Sequence, residues 1–188
     1  MSPPAIEGKE AEKDAILEAA KLMVVAARTA PKTAGIDDIS SLIIYGPEKN
    51  AVAEKMEEIA AERSIEGFRR DAKNVRDSDG VILVGVRANR SAGLDCAGCG
   101  FEDCKAFDGA EKVLGRDFVG PSCIFKSLDL GIALGSAAKI AGILNVDNRI
   151  MYRVGTAAVK LKLLPQATII MGIPVSARGK NIYFDRAK

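Results

Sequence analysis

Four cysteines, Cys96, Cys99, Cys104 and Cys123, are the residues whose type and spacing best suit a chemical role. They follow a C-x2-C-x4-C-x18-C pattern, with three of them inside nine residues. Glycines at 93, 98 and 100 free the backbone to wrap a compact object and to turn amide N–H groups toward sulfur. A [4Fe–4S] cluster takes four thiolates, and three from one tight loop plus one from afar is a natural supply. Pro121 stiffens the approach of the remote ligand. Structural zinc on four cysteines ordinarily uses two knuckles, each a closely spaced pair. Cys96 and Cys99 make one such pair, whereas Cys104 and Cys123 do not make the second. The spacing therefore favours the cluster, with zinc and free or redox-active thiols as the alternatives. It also departs from the C-x2-C-x2-C-x3-C-P run of small ferredoxins, and four cysteines hold only one cluster. The expectation is a larger domain with one cluster inserted.

What the composition lacks narrows the chemistry further. The 188 residues contain no histidine, which removes Ser-His-Asp and Cys-His catalysis, histidine-ligated zinc or haem, and the usual neutral-pH base. Tryptophan is absent and aromatics are 5%, so stacking on nucleic acid is not expected. With 48% hydrophobic and 28% charged residues the chain reads as globular, and its length suits one domain. The net charge of +2 hides an asymmetry. Residues 149–188 hold eight Lys/Arg against Asp185 alone, leaving 19 basic and 24 acidic residues before them. A solvated face accounts for such a bias, and contact with a phosphate or an anionic cluster is the functional alternative. No apolar run approaches a membrane span. Leu163 to Val175 is broken by Pro165, Gln166 and Pro174, and the first residues show no targeting pattern. A cytoplasmic protein with reduced thiols is expected.

The elements that must position the cysteines follow from periodicity. Glu10 to Ala30 reads as one helix about 30 Å long, apolar on most sides, to be buried centrally or in a dimer interface, and ended by Pro31. Ser41 to Tyr45 is a short strand, and Glu48 to Arg63 a second helix with Val52, Met56, Ile59 and Ala60 inward. Arg69 to Ser78 reads as a polar surface loop. Val81 to Val86 is a continuous apolar run that suits a strand covered on both faces. After the cysteine region, Lys126 to Gly142 is a third helix, and Asp147 or Asn148 can cap a fourth that runs to about Leu164. Thr168 to Gly172 is the last strand, and Ser176 to Arg186 an extended polar tail.

Several other features carry less. Gly115 to Ser122 has the glycine spacing of a phosphate loop, but Pro121 stands where the lysine belongs. Gly131 and Gly135 read as close helix packing, Glu102 and Asp103 as a solvated turn, and Tyr45, Tyr152 and Tyr183 as packing residues. Lys105 reads as a charge partner for a thiolate-ligated cluster.

Asp95-Cys96-Ala97-Gly98-Cys99-Gly100 through Cys104, with Val146 to Tyr152, Met171 to Pro174 and Lys180 to Arg186, resembles a family of uncharacterised archaeal and bacterial proteins described as containing a ferredoxin-type domain. That resemblance covers nearly the whole chain and implies a [4Fe–4S] site on the four cysteines. A second resemblance concerns the fold. Ala26 to Pro31 at a helix end, Asp129 to Ala133 and the Met171 to Pro174 strand end are similar to flavin-dependent nitroreductases. That family is an α+β sandwich whose homodimer binds FMN at the subunit interface. The arginine-rich motif that holds FMN phosphate is missing from Ser2 to Lys13, and Gly35 and Ile36 replace an asparagine and a Gln-Pro-Trp-like run. Arg178 and Lys180 stand as the residues to meet a phosphate.

Together these readings predict one α+β (α/β sandwich) domain over residues 1–188. It should be nitroreductase-like, with a mixed central sheet, a long buried helix and a cysteine-rich insertion at 93–123. They predict a homodimer carrying one [4Fe–4S] cluster that exchanges electrons with a redox partner protein or a small acceptor. The rivals are an FMN enzyme using the cluster as relay and a zinc-stabilised interaction module. Neither nucleic acid nor a membrane is an expected partner.

Overall fold

Strand β2 (Gly80–Val86) is buried at every position, and its alternation organises the whole molecule. Val81 and Leu83 turn to one face, Ile82, Val84 and Val86 to the other, and each set anchors a separate hydrophobic core. A strand so placed must be covered on both sides, which is why the run reads as continuously apolar rather than alternating. The computed structural model describes residues 4–184.

Around β2 lie β1 (Ile39–Tyr45), β6 (Ile169–Ser176) and the short β5 (Asp147–Asn148), in the order β1-β2-β6-β5. All three pairings in this sheet are antiparallel, so the expected mixed sheet is corrected: among the described residues no parallel neighbour is present. Ile39 faces Val86 and Tyr45 faces Gly80, a register that sends Leu42 and Ile44 to one core and Ile39 and Ile43 to the other. Strand β6 continues past Gly172 to Ser176. Pro174 has no N–H to give where the ladder would pair it with Arg149, and pairing with the neighbouring segment lapses between Asn148 and the Met151–Gly172 bridge.

One face carries α2 (Glu48–Arg63), α3 (Glu66–Asp77) and α6 (Tyr152–Lys160). The other carries α1 (Gly8–Thr29) and α5 (Ile124–Ile143). Ala20, Met23 and Ala27 of α1 and Ala133, Ala137 and Ala141 of α5 are all buried, and the small alanines let the two helices approach closely. The expected long helix is thus present and buried along this side. Leu22 and Val25 of α1, and Leu128, Ile132 and Ile143 of α5, point outward and are about half exposed. Gly131 and Gly135 also face outward into open space, so they serve no close packing within the described chain.

Three further expectations are overturned. Arg69–Ser78 is not a loop but most of α3: Phe68, Ala72 and Val75 recur at helical spacing and are fully buried, a pattern masked by the charged residues between them. Asp147 and Asn148 cap no helix, because both pair with β6, and α6 starts at Tyr152 and stops at Lys160. The polar tail folds back rather than extending. Tyr183 is fully buried, Arg149 donates to its carbonyl at 2.9 Å, and Asn181 donates to Asp147 at 2.8 Å. Arg186 and Lys188 lie outside the described residues.

Candidate metal centre

Between β2 and α5 the chain leaves the sandwich and makes the cysteine-bearing excursion. It contains a loop, the short helix α4 (Cys104–Gly109) and a hairpin of β3 (Val113–Leu114) with β4 (Val119–Gly120). Four residues of the loop adopt left-handed backbone: Gly93 (φ +74°), Asp95 (+46°), Ala97 (+56°) and Gly100 (+84°). Left-handed residues set among right-handed ones turn successive N–H groups to one side, making a concavity that favours anions. Only two of the four are glycine, so Asp95 and Ala97 are held there at a cost. The Asp95 amide donates to the Cys104 sulfur at 3.3 Å, and the Asp95 carboxylate accepts from the Cys104 amide at 2.9 Å. Asp103 then caps α4, accepting from the Ala106 amide at 2.6 Å.

The remote cysteine is delivered by the sandwich itself. Cys123 precedes the first residue of α5, and its amide donates to the carbonyl of Ala88, just past β2, at 2.8 Å. A Cβ on Gly98 would stand 2.9 Å from Ile124 Cγ2, so the 96–99 turn lies directly on the start of α5. Cys123 shares a small apolar cluster with Ala92 and Phe107, and Cys99, Phe101 and Phe125 pack against it. Phe101 and Phe107 meet edge to face with centroids 5.6 Å apart. Burial is graded. Cys96 is exposed, Cys99 and Cys104 are half-buried, Cys123 is buried, and none is in a disulfide. Among the described residues no three Cys, Asp or Glu side chains stand near enough to hold an ion as they lie. Lys105 is exposed in the first turn of α4, and Glu102, ahead of the cap, is exposed as well.

The excursion is tied down by residues with no signal in sequence. Ser91 binds Asp108 through its amide and hydroxyl at 2.8 and 2.7 Å. Arg63, from α2, pairs with Asp117 and reaches the Arg116 carbonyl at 2.6 Å. Behind the first turn of α5, fully buried Lys126 forms an ion pair with Asp38 at 3.0 Å and donates to the Ile36 carbonyl at 3.2 Å. Arg87 holds the other Asp38 oxygen at 2.5 Å. Burial opposes ionisation of Asp38, but hydrogen bonds from Arg87 and Lys126 outweigh it and hold the carboxyl below its ordinary value.

Comparison with known proteins places the chain. An uncharacterised protein from Archaeoglobus fulgidus is 46% identical over 179 residues, covering 95% of this chain and 96% of the relative. Residues 119–186 match the family described as "Uncharacterized protein containing a ferredoxin domain". The chain belongs to one family with the Archaeoglobus fulgidus protein. The matched segment contains Cys123 but not Cys96, Cys99 or Cys104.

This family member has the nitroreductase fold. A nitroreductase with bound FMN from Desulfitobacterium hafniense superposes with a TM-score of 0.56 at 13% identity, over 87% of this chain and 78% of the other. An oxidoreductase described as containing FMN gives 0.55 at 16% identity, over 87% and 67%. A nitroreductase family protein from Clostridium novyi gives 0.55 at 11%, over 96% and 81%. The chain keeps the sandwich while its phosphate-facing candidates are differently used. Arg178 donates to Asp79 at 2.8 Å and to the Asp77 carbonyl at 3.0 Å, so its guanidinium serves the β2 start; Lys180 is exposed two residues on. Arg149 and Arg153 of the same basic segment bond the Tyr183 carbonyl and Asp71. The four-thiol set suits an iron–sulfur group in donor chemistry and in the amide turned to the Cys104 sulfur. No described helix is long and apolar enough to cross a membrane.

Proposed function

We propose that this protein is an iron–sulfur redox protein holding one [4Fe–4S] cluster on Cys96, Cys99, Cys104 and Cys123. The observation that carries the reading is the seating of the left-handed 93–100 loop on the start of α5. Within it Cys99 packs against the apolar cluster that holds Cys123, and Cys96 and Cys104 stand on the same short loop as Cys99. A bound cluster would supply one-electron transfer. Around it the chain's own residues have separate tasks. The Asp95 amide donates to a ligand sulfur, Phe101, Phe107 and Phe125 exclude water from the Cys123 side, and exposed Lys105 offsets negative charge. The exposed edge at Cys96 is where a redox partner protein or small acceptor would approach. Reduced thiols suit the cytoplasm.

The outer side of α1 and α5 supports a homodimer in this reading. Leu22, Val25, Leu128, Ile132 and Ile143 make an apolar surface of the kind that marks an interface between chains, and Gly131 and Gly135 permit close approach there. FMN at that interface, relayed electrons by the cluster, is the companion reading drawn from the nitroreductase neighbours.

Anaerobic purification followed by metal, sulfide and flavin analysis tests the proposal. About four iron and four sulfide per chain, with brown colour, are expected from the cluster type. Stoichiometric zinc with no iron rejects it in favour of a zinc-stabilised module, and FMN released on denaturation establishes the companion reading.

A further inference from the structure

We propose that the outer edge of β1 pairs with the β1 edge of a second copy of this chain, in a two-fold antiparallel ladder centred on Ile43. The pairing needs no cluster on the cysteines. β1 ends the sheet on one side and has no strand beyond it among the described residues. Which backbone groups it turns outward follows from the register. The Arg87 amide donates to the Asp38 carbonyl at 3.1 Å, in step with Ile39 opposite Val86, so the hydrogen-bonded pairs recur at Asp38, Ser40, Leu42 and Ile44. Ile39, Ser41, Ile43 and Tyr45 therefore point N–H and C=O away from β2. Those of Ile39 are used within the chain: its amide donates to the Asp37 carboxylate at 3.1 Å, and its carbonyl accepts from Arg28 at 2.8 Å. Those of Ser41, Ile43 and Tyr45 meet no partner among the described residues.

Open edges are ordinarily guarded by charge, proline, a bulge or brevity. β1 has none of these: its seven residues carry no charge and no proline, and its register runs unbroken. The opposite edge differs, since β5 is two residues long and Asn181 of the tail bonds Asp147 there. A second β1 fits the open edge in detail. About an axis through Ile43, that residue exchanges both bonds with its own copy, and Ser41 exchanges both with the second copy's Tyr45. Every open N–H and C=O of the three residues is then used on each chain. Uncharged side chains meet on both faces, Leu42 beside Ile44 on one and Ser41 beside Tyr45 on the other. Charge agrees as well. At the Ile39 end Asp37 and Asp38 each face two cations, Arg28 and Lys32 for one, Arg87 and Lys126 for the other. At the Tyr45 end Glu48 turns its carboxylate to Gly46, where a Cβ would stand 3.3 Å from Oε2. Antiparallel pairing sets each positive end against the second copy's Glu48. The next outward position is Pro47, which has no N–H to leave unpaired opposite Ile39. One strand pair is smaller than a standard interface of about 1,600 Å², so copies join as concentration rises and part on dilution. The edge shares no residue with the apolar outward face of α1 and α5, and it links dimers formed there.

Sedimentation velocity over a concentration series, beside residue-resolved amide hydrogen exchange on the same samples, tests this. Mass should rise with concentration above that of the dilute species. The Ser41, Ile43 and Tyr45 amides should slow in step, while those of Ser40, Leu42 and Ile44, bonded to β2, keep their dilute rates. Ser41→Pro removes an outward donor and leaves the β2 ladder whole. Two hydrogen bonds vanish across the axis, so association should weaken about tenfold or more. Should that variant fail to fold, Ser41→Lys places a charge on the edge and should weaken association likewise. Mass that does not rise with concentration overturns the proposal, as does a rise that leaves the three amides fast. Slow amides at concentrations where mass has not risen also overturn it and assign the edge to a segment of the same chain. Association of wild-type strength in a folded Ser41 variant overturns it too.

Discussion

Gly98 and Ile124 are in contact so close that a side chain on the first has nowhere to go: the missing Cβ would stand 2.9 Å from Ile124 Cγ2 and 3.6 Å from the Cys96 sulfur. This one approach joins the exposed loop bearing three cysteines to the helix start bearing the fourth. Gly98→Val should therefore lift the loop from α5, at a cost of about 1–3 kcal/mol for overpacking. Iron content of anaerobically purified protein should drop by more than half while far-ultraviolet circular dichroism is unchanged. Wild-type iron in a folded variant would separate the loop from the metal site.

Cys123→Ser should abolish or strongly destabilise the cluster even though 18 residues separate it from Cys104. The fold should survive, because the tie at this position is the backbone bond from the Cys123 amide to Ala88. Iron and sulfide assays beside a thermal melt check both halves, and unchanged iron removes Cys123 from the ligand set.

Acid stability should depend on Asp38. Its folded pKa is depressed below the ordinary 3.8, so its contribution is complete above that value and is lost as pH falls through the lower folded value. Asp38→Asn should reduce stability at pH 7 by about a few kcal/mol, since it weakens a buried pair by removing one charge, and should flatten the loss of stability as pH falls below the ordinary 3.8. Urea midpoints across that range check the slope; an unaltered acid limb would show that Asp38 does not govern it.

Gly155 sets the distance between α6 and the sheet. A Cβ there would lie 1.6 Å from the Ile170 carbonyl oxygen, and backbone cannot yield as a side chain can. Gly155→Ala should lose about 3 kcal/mol or more, at or beyond the upper end for overpacked sites, measured by urea unfolding. Gly131→Ala, which meets open space, is the control and should leave the monomer's stability near wild type.

The outward face of α1 and α5 should hold two chains together. Leu128→Glu places a charge in the middle of that surface, where Leu128 is 54% exposed, and should convert dimer to monomer in sedimentation velocity. A wild-type protein that sediments as a monomer removes this face as a self-interface.

Much of the scaffold is legible from local pattern alone. The bounds of α2 at Glu48 and Arg63 agree with its periodicity, and β2 reads correctly because a strand covered on both faces has no polar alternation to confuse. Helix α3 escapes that reading, since seven of its twelve residues are charged and its buried stripe of Phe68, Ala72 and Val75 is thin. Strand β5 escapes for a different reason: Asp147 and Asn148 look like caps, and only the facing Ser176 and Val175 make them a strand.

At the centre itself, residue type and spacing alone determine that sulfur is the available soft donor, that no imidazole can share the work, and that three donors are neighbours. Tertiary structure alone decides what lies beside the fourth. Cys123 reaches the loop because Ala88, just past the end of β2, accepts from its amide where α5 begins; Lys126 meets Asp38 across 88 positions of chain because both are packed behind that turn. Local sequence encodes periodicity and donor chemistry, which act within a few residues. Contacts between residues far apart in the chain arise only when burial of two cores on one sheet forces distant segments together.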